Sequence, residues 1–301
     1  KPLPASPEGD SLAGFVTGLT QAQLDGFFDA ADPHATAAAL LDDATTRIVH
    51  DLDRFRRTRQ ANPNSPQQWQ PACTATLARE THVNAALPPQ GLKIQVSVSH
   101  SDGFGREIQK KIRAEPGPVP QRDATGQVIV GADGQPVMTP NARSPRWVGS
   151  GWTIFNNKGK PVRQYEPFFT DTPRFEFDLR IGVSPVLFYD PVGRIVATLH
   201  PNHTYEKRVF DPWQQTTYDA NDTCAARNAQ TGDPRTDPDI GGCLNSYFES
   251  QPATWQTWHA RRIGNALGTD QRFAAARAAD HADTPTTTGS CAARRIICVA
   301  T

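Results

Sequence analysis

Few side chains in this sequence have the type and spacing to bind a metal ion. His200 and His203 are three residues apart, and with Cys224 they could form part of such a site. They lie in a turn that contains Pro and Asn between two predicted strands, which favours a structural role. The acidic segment 233–239 lacks the alternating Asp spacing and the later Glu of an EF-hand loop, which favours a solvated loop. The sequence therefore predicts no metal site and no cofactor.

Motifs of common catalytic sites are also missing from the sequence. It contains no G-x-S-x-G elbow, no GxxxxGK[ST] loop, no H-E-x-x-H and no Rossmann glycine triplet after a strand. Cys73, with His82 downstream, matches no cysteine-protease signature, which favours a buried thiol. Trp255 and Trp258 are predicted to share a helix face and to pack in a core rather than form a sugar platform. We expect no enzymatic activity.

The charge and the apolar content of the chain indicate which kinds of partner to expect. The chain has 31 Lys and Arg against 31 Asp and Glu, so its formal net charge is zero. This balance gives no electrostatic reason to expect nucleic acid or an anionic membrane as a partner. No run approaches the roughly 18 apolar residues of a membrane span. Because the sequence begins at Lys1 without Met, we interpret it as part of a longer protein.

The apolar pattern changes along the chain. A strand is predicted at 47–55 and a polar loop at 60–72, and one or two helices are predicted within 254–281. Segment 228–246, dense in Asp-Pro and Gly, is predicted to be a loop. The whole sequence divides into a helical or irregular lead-in (1–45), a β-sheet region (46–225), a loop and helical segment (226–288) and an atypical tail (289–301).

Residues 94–113 alternate with period two, which indicates an antiparallel pair of strands with one buried face. Ile94, Val96 and Val98 alternate with polar residues in the first strand. In the second strand, the set Ile108, Lys110 and Ile112 alternates with the set Gln109, Lys111 and Arg113. Side chains on a strand alternate between faces, so one face is predicted to be apolar and the other wet. The polar residues of the second strand would suit a solvent face or a water-filled lumen.

A short unit recurs between predicted strands. Its members are Asp102, Gly105 and Arg106; then Tyr189, Asp190, Gly193 and Arg194; and, in a weaker copy, Asn157 and Gly159. Asp or Asn bonds to the backbone of its own turn, and Gly adopts a positive φ, so a strand resumes at once. Each unit is therefore predicted to be a hairpin that needs neighbouring strands to be stable.

These units resemble a known family. Residues 189–194, followed by Tyr205 and Asp211, look like a YD repeat. Together with segments 101–106, 151–169 and 199–223, they are similar to the RHS/YD-repeat region of the B component of insecticidal toxin complexes. These are the TcB/TcaC-type proteins, which also carry an SpvB-like N-terminal domain. The resemblance covers most of residues 45–285.

The resemblance implies a fold and a role. The fold is an antiparallel sheet of RHS/YD-repeat β-hairpins, part of a curved shell, with short helices at the N-terminus and near the C-terminus. In this family, the B and C components form a secreted shell around a cytotoxic polypeptide, and the A component attaches through another part of B. This chain would form only a part of the shell wall. One departure is segment 289–296, which stands where the family pattern predicts a further Asp-x-x-Gly-Arg unit.

The alternative is a carbohydrate-binding or adhesive module, because YD repeats also occur in cell-surface proteins. Exposed aromatic side chains along one sheet face would favour that function. An enzyme is the third hypothesis, and it would need a nucleophile and a base within reach of one pocket.

Overall fold

The structure is a computed structural model that describes residue 10, residues 15–124, 126–177, 179, 181–228 and 231–289, and the backbone of 290 and 297–300. The chain forms two compact units. The first comprises Lys1–Thr153 and Tyr165–Gly182, and the second comprises Ile154–Gln164 and Val183–Thr301. Both consist mainly of antiparallel strands, with short helices near the two ends of the chain, so the predicted fold class is confirmed. No helix in the described ranges has the length and apolarity to cross a membrane.

The first unit contains a six-stranded antiparallel sheet in the order β1-β2-β3-β4-β5-β8. Its strands are β1 (Thr46–Asp51), β2 (Ala72–Arg79), β3 (Ile94–Ser101), β4 (Glu107–Ala114), β5 (Arg146–Gly149) and β8 (Phe168–Thr170). The helices of this unit are α1 (Gln21–Phe28), α2 (His34–Leu41) and α3 (Arg54–Ala61), and Pro66–Gln68 form a 3-10 turn.

Helices α1 and α2 contribute side chains to the apolar core on one face of this sheet. Val96 and Val98 are buried as predicted, and they pair across the strands with Leu77 and Ala75. Leu41 of α2 belongs to the same buried cluster. Burying each large aliphatic side chain stabilises the unit by about 1.5–3 kcal/mol. This core keeps β3 in place, and the Asp102 turn comes directly after β3 in the chain.

The predicted orientation of β4 is wrong. Gln109 and Lys111 are completely buried, whereas Ile112 is 47% exposed. Gln109 pairs with buried His100, and Lys111 pairs with Val98, so both point toward the core face of the sheet. Lys111 tolerates burial because Glu176, far away in sequence, pairs with it. Local alternation could not reveal that partner.

The second unit contains another six-stranded antiparallel sheet, in the order β14-β13-β12-β11-β10-β9, and the separate hairpin β6-β7. The strands are β6 (Thr153–Phe155), β7 (Pro161–Gln164), β9 (Val186–Tyr189), β10 (Ile195–Leu199), β11 (Tyr205–Phe210), β12 (Gln214–Tyr218), β13 (Thr286–Ser290) and β14 (Ile297–Ala300). The helices are α4 (Gly241–Glu249), α5 (Trp258–Ile263) and α6 (Thr269–Asp280). Leu244 of α4 and the preceding Ile240 are buried with Leu199 and Tyr205 of the sheet.

Three elements differ from the sequence prediction. The strand predicted at 47–55 ends at Asp51, whose carboxylate accepts a hydrogen bond from Arg57 of the following α3 (2.6 Å). Helix α4 lies largely within the predicted loop 228–246, because burial of Leu244 overrides the poor helix propensity of its two glycines. The tail continues the sheet as β13 and β14. Within the predicted atypical tail, residues 291–296 and 301 lie outside the described residues.

Candidate functional site

The two Asp-x-x-Gly-Arg units form the same five-residue turn. In the first, the Asp102 amide donates to the Arg106 carbonyl oxygen and the Gly105 amide donates to the Asp102 carbonyl oxygen, both at 3.0 Å. In the second, Asp190 and Arg194 make the corresponding bond at 2.9 Å, and the Gly193 amide donates to the Asp190 carbonyl oxygen at 3.0 Å. Both glycines have a positive φ, at 76° and 87°. Their lack of a side chain makes this conformation accessible.

The first and last residues of each turn are joined by an ion pair. Arg106 Nε donates to Asp102 Oδ2 at 2.6 Å, and Arg194 Nε donates to Asp190 Oδ2 at 2.7 Å. Burial acts to raise the pKa of Asp102, but hydrogen bonds from the side chain and backbone of Arg106 outweigh it and lower the pKa. Each turn therefore neutralises its own arginine, so these arginines serve the turn itself.

The weaker copy is displaced by one residue from its predicted position. Asn156, rather than Asn157, occupies the Asp place, since its Oδ1 accepts hydrogen bonds from the amides of Lys158 (3.0 Å) and Lys160 (2.9 Å). Gly159 keeps the predicted place, with φ 74°. The correct alignment follows from the three-residue spacing between Asp and Gly in the two stronger copies. Lys160 stands in the Arg place, and the Asn side chain offers it no charge.

Three further turns repeat this geometry. Segments 123–127 and 131–135 close through the same pair of backbone hydrogen bonds, in a region where the sequence indicated turns at Asp123–Gly126 and Asp133-Gly134. The third is 200–204, in which His203 takes the glycine place with φ 70°. Sequence comparison alone missed this copy because neither Asp nor Gly marks it. The signal that could have found it is the Asn202 side chain, which accepts from the Thr204 amide at 3.0 Å.

His200 and His203 do not converge on a metal site. His203 stacks on Trp255, with ring centroids 4.9 Å apart and planes inclined by 15°, and its Nδ1 lies 2.7 Å from the Gln256 carbonyl oxygen. His200 Nε2 lies 3.1 Å from Glu206 Oε1. Within the described ranges, no group of three or more His, Cys, Asp or Glu residues is placed to hold a metal ion. Each histidine has a contact of its own.

The other repeat residues each support a strand connection. The Tyr189 hydroxyl donates to the Pro161 carbonyl oxygen at 2.7 Å. The Asp211 carboxylate accepts hydrogen bonds from the amides of Trp213 and Gln214, at 2.7 and 2.8 Å, and these bonds lower its pKa. Asp211 thus closes the hairpin between β11 and β12. Tyr205 is buried, and burial raises the pKa of its hydroxyl well above the ordinary range.

Each unit also contains a buried lysine that the sequence did not single out as buried. Lys111 Nζ pairs with Glu176, which also binds Arg122, and lies 4.7 Å from the centroid of the Phe168 ring. Burial lowers the pKa of Lys111, and the Glu176 carboxylate opposes that shift. Because a buried ammonium is costly without an anionic partner, Glu176 holds its own segment against the sheet.

The buried lysine of the second unit binds the acidic segment 233–239. Lys207 Nζ lies 2.9 Å from the Asp237 carboxylate and 2.7 Å from Asp239 Oδ2. The Tyr205 hydroxyl donates to Asp237 Oδ2 at 3.1 Å. Lys207 and Asp237 are completely buried side chains. The solvated loop predicted here is therefore wrong for Asp237, whose charge supports the sheet instead.

The candidate thiol and indole groups occupy packing positions. Cys73 is buried, and burial raises the pKa of its thiol to about 12, so it stays protonated at neutral pH. His82 contacts Asp10 instead (3.1 Å). Trp255 precedes α5 and is buried, whereas Trp258 is its first residue. The predicted common helix face is therefore wrong, while the predicted core packing of Trp255 is confirmed.

No family model and no curated protein matches this sequence. The chain is similar to parts of solved Tc toxin-complex structures. A crystal structure of TcdB2-TccC3 shares 25% identity over 69% of this chain, with a TM-score of 0.49. A structure of the Photorhabdus luminescens Tc holotoxin pore shares 22% identity over 81% of this chain, also with a TM-score of 0.49.

In each of these two comparisons, the match covers 9% of the other chain. Both TM-scores lie below 0.5, and the chain spans about a tenth of the length of each of these solved chains.

Proposed function

We propose that this chain is a non-enzymatic wall segment of a secreted toxin-complex shell. In that shell, the chain and a C component together enclose a cytotoxic polypeptide. The A component attaches through the rest of the longer protein. The observation that supports this proposal most strongly is the recurrence of one hairpin turn geometry between neighbouring antiparallel strands. A wall requires such a repeat, because each strand must offer the next one an edge to pair with.

The ends of the two sheets support an extendable wall. Among the described strands, β1 and β8 end the first sheet and β9 and β14 end the second, each with one partner in its sheet. A strand with one partner presents a row of backbone amides and carbonyls to a further strand. In the proposed shell, neighbouring RHS strands of the longer protein and of the C component would occupy these edges.

The buried ion pairs suit a wall that must keep its form around an unfolded cargo. Lys111 and Lys207 each join a strand to a distant loop through carboxylates. If a loop came away from the sheet, the buried lysine would lose its carboxylate partner. Because an unpaired buried charge is costly, the ion pair keeps the loop attached to the sheet. These charged side chains are buried and neutralised by each other, which suits a role in stabilising the sheets better than a role in catalysis.

A protease-protection experiment tests the proposed function. The longer protein that contains this chain would be co-expressed with a C component that carries a cytotoxic C-terminal polypeptide. We expect the cargo to resist protease in the purified complex. Gly105→Val should expose it, because valine is strained at φ 76°, whereas Gly103→Val is the matched control without a positive φ and with open space around it. Equal digestion of the cargo with and without this chain would reject the proposal.

A further inference from the structure

The second unit carries a groove in which two cations lack acidic partners. The groove is open to solvent and has a volume of about 630 Å³. Its lining includes Lys160, Ile195, Arg208, Phe210, Gln215 and Thr217. Within the described part of the chain, no carboxylate lies within 4.0 Å of the Lys160 amine or the Arg208 guanidinium. Glu206 lies two residues before Arg208 on the same strand, and it contacts His200.

Lys160 has no carboxylate partner because the first residue of its turn is Asn instead of Asp. In the other Asp-x-x-Gly-Arg turns, the Asp at the first position binds the cation at the fifth, as Asp190 binds Arg194. Here Asn156 holds the turn with the same backbone bonds but supplies no negative charge. The Lys160 side chain extends toward the neighbouring hairpin, since a Cβ on Gly193 would lie 3.3 Å from Lys160 Cε. The charge therefore faces the groove without compensation.

The rest of the groove has two rows with different chemistry. Arg208 of β11 pairs in register with Thr217 of β12, and Phe210 pairs with Gln215. Gln215 Nε2 donates to Thr217 Oγ1 at 3.1 Å, so the Thr217 hydroxyl proton is available for a ligand. A cation and a hydroxyl thus form one row. The next row consists of the Gln215 amide and the Phe210 ring, whose centroid also lies 4.2 Å from the Arg194 guanidinium carbon. The rows are two residues apart, about 6.8 Å along a strand.

We propose that this groove binds an extended acidic peptide segment. An extended chain repeats its side chains on one face every two residues, at the same spacing of about 6.8 Å as the two rows. A Glu or Asp side chain would bind Arg208, Thr217 and Lys160, and an apolar side chain two residues away would contact Phe210 and Ile195. The two cations favour carboxylates, and the apolar part favours a peptide over a nucleic acid. The proposal does not depend on the wall function.

Peptide binding to the immobilised 301-residue chain tests the inference. The probe is a fluorescein-labelled peptide that alternates Glu and Leu on one face with Ser on the other, and its Glu→Gln version is the control. We expect the Gln version to bind at least about tenfold more weakly, which is about 1.4 kcal/mol. Raising the NaCl concentration from about 0.05 M to about 0.5 M should also weaken binding of the Glu peptide, because salt screens exposed charges.

Variants locate the site. Lys160→Gln with Arg208→Gln should weaken binding of the Glu peptide about tenfold, whereas Arg272→Gln removes an exposed cation on α6 and should leave it unchanged. Asn156→Asp should also weaken binding, because the new carboxylate would engage Lys160 as Asp190 engages Arg194, while the turn stays intact. Circular dichroism checks that each variant keeps its strands. No binding of the Glu peptide, equal binding by the double variant, or tighter binding of a single-stranded oligonucleotide would overturn the proposal.

Discussion

Single residues determine the recurring turn, and their contributions are separable. Asp or Asn at the first position accepts amide hydrogen bonds, as Asp102 and Asn156 do. The fourth position requires a positive φ, which Gly105 and Gly193 adopt readily. His203 adopts the same conformation at 70° although it has a side chain. Its stack on Trp255 must compensate for the strain, which is about 1 kcal/mol for a residue of this kind.

Substitutions of His203 should separate strain from stacking. His203→Ala removes the stack and keeps a Cβ at positive φ, whereas His203→Gly removes the stack and relieves the strain. We expect the glycine variant to be about 1 kcal/mol more stable than the alanine variant in urea unfolding. Equal free energies of unfolding would show that the turn is not strained at this position.

His100 should make the first unit sensitive to acid. Its Nε2 donates to the Pro173 carbonyl oxygen at 3.0 Å, and burial lowers its pKa to about 3. Lys111 and Arg54 contribute smaller repulsions in the same direction. The unfolded chain binds a proton at this histidine below about pH 6.5, while the folded chain does so only below about pH 3. The stability contributed by neutral His100 is therefore full above about pH 6.5 and is lost as the pH falls toward 3.

A His100→Gln variant isolates this effect from the titration of carboxylates. Between pH 7 and pH 5, the wild-type chain should lose about 2 kcal/mol more unfolding free energy than the variant. Urea denaturation at the two pH values measures the difference. The same loss in both proteins would mean that His100 is protonated in the folded unit.

At the scale of elements, the strands depend on ion pairs with loops. Glu176→Gln leaves the buried Lys111 ammonium without its carboxylate, and we expect this variant to lose about 3 kcal/mol of unfolding free energy. Lys111→Met combined with Glu176→Gln should recover most of that loss, because the buried Lys111 ammonium is gone. Chemical denaturation of the single and double variants gives the coupling energy. Additive losses would show that the pair does not support the sheet.

The sequence predicts elements well where periodicity and turn chemistry are local. Alternation alone places Val96 and Val98 on the buried face, and residue type alone predicts the Asp102 and Asp190 turns. The orientation of β4 could not be predicted, because Glu176, the partner of Lys111, is 65 residues away.

Helix α4 and the end of the second sheet show the same limit. Leu244 makes α4 stable only through contact with the sheet, and β13 is recognisable only once β12 is there to pair with it. The sequence prediction places Asn157 in the Asp position, and only the structural alignment on Asn156 puts Lys160 in the Arg position without a carboxylate partner.

At the scale of the whole molecule, the two units share one construction principle. Each contains a six-stranded antiparallel sheet in which the recurring turn joins neighbouring strands, β3 to β4 in the first sheet and β9 to β10 and β10 to β11 in the second. Each sheet ends in strands with a single partner among the described residues. The sheets also differ in what covers them, since α1 and α2 contribute to the first core and α4 to the second. A strand with a single partner leaves a row of backbone amides and carbonyl groups unpaired, so the end strands favour pairing with further strands.

Sedimentation velocity combined with thermal unfolding of the isolated 301-residue chain tests the central claim most directly. If the hairpins are segments of a larger wall, the chain should self-associate through its end strands as its concentration rises, and its unfolding transition should broaden with concentration. A monomer at every concentration measured, with a single sharp melting transition, would contradict the account.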